Sequence, residues 1–95
     1  MIRLPKIGTL GKMKVKDINV EFQDMDFGAQ GHKDVREIQA AIERGEKMPP
    51  ILVSPSGYLQ DGRHRLTAYK RLGALEVNVV YGYHPAAQVK KTSRK

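Results

Sequence analysis

The stretch that most constrains this chain is DGRHRLTAYKRLG, Asp61 to Gly73, a helix-length run bounded by two glycines. Asp61 and Gly62 make a turn after a short strand, and Gly73 is a natural C′ stop. Between them the pattern predicts a helix over about Arg63–Leu72, with Leu66, Tyr69 and Leu72 setting its buried direction. Its first turn holds Arg63, His64 and Arg65. That is the wrong end for cations. A helix N-terminus carries partial positive charge and unpaired N–H groups, so each arginine there costs about 0.3–1 kcal/mol.

Two readings answer the oddity. In the first, Asp61 caps the helix and pairs with Arg65, which lies on the flank of the apolar stripe and needs a partner. In the second, the helix start is an anion site. Free N–H groups, the helix dipole and a glycine without a Cβ favour an oxyanion. Arg63 and Arg65 add bidentate forks, and His64 adds a switchable donor. Asp61, Gly62, Arg63, His64 and Arg65 are then the phosphate- or nucleotide-binding set. Farther along, Lys70 and Arg71 point to solvent with no acid between 63 and 72, which suits either a solvated basic face or a phosphodiester backbone.

The wider charge pattern points the same way. The 95 residues carry 17 Lys+Arg against 10 Asp+Glu, a net charge of +7. Such a balance favours polyanions as partners, nucleotide or nucleic acid. The charge lies in blocks: residues 1–16 hold no acid, the acids concentrate in 17–46, and KKTSRK (90–95) closes the chain. We read residues 1–88 as one domain and 89–95 as a basic C-terminal tail. Such a length buries only roughly 60–65% of its unfolded surface. The absence of cysteine excludes disulfides and thiolate zinc sites. Neither a membrane-spanning run nor a signal-peptide core is present, so a cytoplasmic protein without membrane contact is the expectation.

Other segments fill in the fold. Met13, Val15 and Ile18 alternate like a strand, after a first dozen residues that read as loose. QDMDFGAQGHK (23–33) reads as a functional loop. Asp34 and Glu37 have capping-box spacing at the head of a helix whose stripe is Val35, Ile38, Ala41 and Ile42, ending at Gly45. Ile51–Ser54, a Pro-Ser-Gly turn and Tyr58–Gln60 form a strand pair, and 76–83 a last strand; after Pro85 we expect a frayed tail or short helix. The order is (β)–loop–α–β–β–α–β, an α/β (α+β) domain with a mixed sheet and two main helices.

Residues 48–80, MPPILVSPSGYLQDGRHRLTAYKRLGALEVNVV, resemble the ParB/sulfiredoxin superfamily, in particular its ParB-like N-terminal (ParB-like nuclease) domain. The shared pattern is a Pro-Ile-x-Val strand, a turn, a strand ending at Gly, and a basic box opening a helix that closes at another Gly. ParB partition proteins carry Gly-Glu-Arg-Arg there, with the same spacing to the second glycine as Gly62 to Gly73 here. The resemblance implies phosphate contacts from Gly62, His64 and Arg65. It also marks departures. Sulfiredoxins have a reactive cysteine where this chain has Arg63, which rules out sulfinic-acid reduction. Partition proteins have a glutamate there tied to CTP hydrolysis, which argues against a CTP switch. No helix-turn-helix follows, so partition-type DNA reading is not expected.

Some relatives phosphorylate free serine using an acid in the loop before the first helix. Glu21, Asp24 and Asp26 occupy that region and are the catalytic candidates, as a general base or Mg²⁺ holders; the plainer reading is ordinary loop acids balancing a basic domain. His32 and His84 read as surface residues, and the histidine intervals match no metal site. Three functions stay open. The first is a nucleic-acid-associated ParB-like domain, of phage or plasmid type, binding a phosphate-bearing ligand. The second is a phosphoryl-transfer enzyme using a nucleotide with Mg²⁺. The third is a non-catalytic module docking an acidic protein.

Overall fold

A computed structural model of the chain describes residues 4–21 and 23–84. The C-terminal segment from Pro85, including the 89–95 tail, lies outside the described residues. The elements run β1 (Leu10–Lys14), a 3-10 turn (Val15–Asp17), α1 (Gly28–Glu43), β2 (Ile51–Val53), β3 (Leu59–Asp61), α2 (Arg63–Arg71) and β4 (Glu76–Tyr81). The strands form one mixed sheet in the order β1-β4-β2-β3. β4 pairs antiparallel with β1 and parallel with β2, and β2 pairs antiparallel with β3. The parallel β2–β4 pair requires a crossover, and α2 lies within it. This is the α+β architecture that the alternation of strand and helix signals predicts.

One sheet face is apolar because alternate strand residues point the same way. Ile51, Val53, Leu59, Val77 and Val79 meet Leu66 of α2, together with Val15 and Ile18 from the 3-10 turn and its end. Leu66, Ile51, Val53 and Val79 have no exposed surface, so Leu66 locks α2 to the sheet centre. Truncating a side chain so buried costs about 2–5 kcal/mol. Val35 and Ala41 bury the inner stripe of α1, while Ile38 and Ile42 are half-buried. α1 and α2 pack against each other.

Both helices stop as their glycines demand. Gly45 and Gly73 adopt φ of +86° and +78°, and their N–H groups return to the carbonyls of Ile42 and Lys70. The start of α1 departs from the capping-box expectation. The helix begins at Gly28, so residues 28–33 of the anticipated 23–33 loop are helical, and Asp34 lies inside the helix accepting from Gln30 Nε2 at 2.9 Å. The strand expected through Val15 and Ile18 ends at Lys14, where the chain tightens into the 3-10 turn. The segment before β1 is also held: Gly8 N–H donates to the Tyr81 carbonyl, and Tyr81 N–H to that of Thr9.

Candidate functional site

The chain reaches α2 through β3 and Gly62, whose φ of +106° turns it sharply into the helix. A Cβ there would sit 3.0 Å from an Arg65 guanidinium nitrogen and 3.1 Å from Ile51 Cδ1, so the turn is close-packed as well as left-handed. No side chain caps this helix start. Asp61 is exposed and makes neither the cap nor the Asp61–Arg65 pair weighed from the sequence. Arg65 turns instead toward the Pro50 carbonyl, 3.4 Å from its guanidinium, because that carbonyl sits beside the half-buried flank of α2. Its Nε is buried without a hydrogen-bond partner. A guanidinium anchored at one nitrogen and unsatisfied at another has donor capacity to spare.

Arg63 and His64 face the other way, onto Phe27. The His64 ring stacks on Phe27 with centroids 4.5 Å apart and planes 22° from parallel. Arg63 lies over the same ring, 5.4 Å from its centroid, and donates to the backbone carbonyl of Asp24. His32 meets Phe27 edge-on at 5.9 Å and contacts Arg71 through Nδ1 at 2.9 Å. Phe27 therefore organises the front of α2, a role the sequence analysis missed. The signal lay in FGAQG. Gly28, at φ +70°, reverses the chain so that Phe27 folds back over α1, and buried Gly31 leaves room for it. A Cβ on Gly31 would run into Phe27 and come within 3.4 Å of His64 Nε2.

The acidic candidates divide. Asp24 reaches the basic box through its backbone carbonyl, while its carboxylate accepts from Asp26 N–H at 3.0 Å. Asp26 and Glu21 are exposed, and Glu21 N–H donates to Asn19 Oδ1 at 2.8 Å. Among the described residues no three His, Asp or Glu side chains converge as a metal site. His32, expected at the surface, is half-buried between Phe27 and Arg71. Lys70 and Arg71, adjacent in sequence, part company. Arg71 turns to α1, whereas Lys70 lines an open groove at the far end of α2 with Lys14 and Lys16.

No family model matches the chain, and no curated protein matches it by sequence. Its backbone does have relatives. A sulfiredoxin from Arabidopsis thaliana superposes with a TM-score of 0.65 at 17% identity, over 92% of this chain and 99% of that one. Two structures of a pNOB8-like ParB N-domain superpose with TM-scores of 0.67 and 0.63 at 16% and 19% identity. Each match covers 97% of this chain, which spans only 36% and 33% of those chains. The helix–sheet backbone is thus shared, and the chain has the ParB/sulfiredoxin-like fold.

Proposed function

We propose that this ParB-like domain binds a phosphate-bearing ligand, a nucleotide with Mg²⁺ or a nucleic-acid phosphate, at the start of α2. The observation that carries the reading is Arg65: its Nε is buried and unpartnered beside a helix start that no side chain caps. A phosphate at Gly62–Arg65 would accept from the free helix N–H groups and take up the remaining guanidinium capacity. The cost of crowding cations at that end would become ligand affinity. Gly62 brings the helix start against the Arg65 guanidinium, and Phe27 holds the His64 ring and Arg63 in place. The fold neighbours support the reading only as relatives in backbone.

An NMR titration of the labelled chain with ATP, ADP, CTP and a short DNA duplex at two salt concentrations tests it. Shifts centred on Gly62 to Arg65 are the expected result. Arg65→Lys, which keeps the charge but loses the fork, should weaken binding about tenfold. No response at these residues with any of the four would remove the site.

Phosphoryl transfer is a second reading, favoured by one contact. The bond from Arg63 to the Asp24 carbonyl brings the acidic loop to the mouth of the site. On that reading Asp24→Ala retains nucleotide binding and abolishes phosphate transfer or hydrolysis. Equal turnover in that variant removes Asp24 from the chemistry, and no turnover in the parent confines the domain to binding.

A further inference from the structure

The opposite end of α2 carries a different surface. An open groove of about 1020 Å³ lies between the end of β1, the C-terminus of α2 and the start of β4, lined by Lys14, Lys16, Lys70, Ala74, Leu75 and Glu76 among others. Leu75 is 83% exposed, the most exposed of the large apolar side chains among the described residues. It is not at a loose end, because its carbonyl accepts from Val15 N–H at 2.9 Å and β4 begins at the next residue. An apolar side chain is therefore held out to solvent on a fixed backbone, with three lysines around it and one glutamate. None of these lysine side chains makes an ion pair or hydrogen bond among the described residues, whereas the arginines at the other end of α2 are engaged.

We propose that this groove docks an acidic, extended segment of a partner protein, with an apolar side chain seated on Leu75 and Ala74 and carboxylates facing Lys14, Lys16 and Lys70. Charge complementarity selects the occupant. A second copy of this chain, itself at a net charge of +7, is repelled overall. A polynucleotide would find no arginine forks and no aromatic platform in the lining, the features that hold phosphates bidentately and stack bases. A carboxylate-rich peptide meets point-charge lysines without those demands, and Leu75 adds an apolar anchor on a prefixed backbone. The site shares no lining residue with the phosphate site at Gly62–Arg65, so the two stand or fall separately.

The test uses the full chain, isotope-labelled, and two peptides: EDELEDLEDE and its leucine-free counterpart EDESEDSEDE. At physiological ionic strength the first should shift Lys14, Lys16, Ala74 and Leu75 and leave Gly62–Arg65 unmoved. The second should bind at least about tenfold more weakly. Leu75→Ser should erase the difference between the peptides, and paired Lys14→Glu and Lys16→Glu should abolish both responses. Leu75, Lys14 and Lys16 are all exposed, so these variants should retain the parent's melting curve. Equal binding of both peptides, or stronger shifts of the same residues by oligothymidine, would overturn the proposal in favour of a general polyanion surface. No shift at the groove with either peptide would overturn it outright.

Discussion

The two ends of α2 hold the same sign of charge in opposite ways. At the N-terminal end, Arg63 is bound to the Asp24 carbonyl and lies over Phe27, His64 is stacked on that ring, and Arg65 reaches the Pro50 carbonyl. At the C-terminal end, Lys70 projects into an open groove with Lys14 and Lys16. The electrostatics run against this division of labour. Cations near a helix C-terminus are favoured and need no further support, while cations at the N-terminus are opposed by the dipole. Here the unfavourable end is the built one. The cations that cost stability are braced by the loop before α1 and by the Pro50 carbonyl, while those in the favourable position stay unbraced.

Changes in the bracing should therefore matter more than changes in the free charge. Gly31→Val should have the largest effect, about 3 kcal/mol lost in denaturant unfolding, because the new side chain displaces Phe27 and with it His64. Gly62→Ala should lose about 1–2 kcal/mol, since alanine is strained at φ +106° and its Cβ meets Arg65 and Ile51. Phe27→Ala should cost about 0.5–1.5 kcal/mol from the lost ring contacts beyond any loss of buried area, and should weaken phosphate binding by freeing Arg63 and His64. At the other end, Lys16→Glu should alter stability by less than about 0.5 kcal/mol. A large loss in that last variant, or none in the first, would break the contrast between a braced and a free end.

Much of the fold could be read locally. Gly45 and Gly73 close their helices because positive φ at C′ is a short-range requirement, and β2, β3 and β4 follow runs of apolar and β-branched residues. The half-buried flank position of Arg65 also follows from helical geometry alone. The start of α1 did not. Asp34 and Glu37 mimic a capping box, and two glycines in 28–31 look like loop residues until Phe27 is seen folded over them. Nor could spacing show that Asp24 meets Arg63, since the contact spans 39 positions and uses a backbone carbonyl common to every residue. Adjacent Lys70 and Arg71 diverge for the same reason: His32, on the other helix, captures only the arginine.

The sequence by itself determined the order of elements, the net charge of +7, and the helix that begins in cations. Those depend on periodicity, glycine φ and charge, which act over a few residues or over the whole composition. Only the tertiary structure decided which partner each cation takes. That choice rests on where α1 and the loop before it fall against α2, and packing of distant segments sets it: Asp61 loses Arg65 to Pro50, while Phe27 gathers Arg63 and His64.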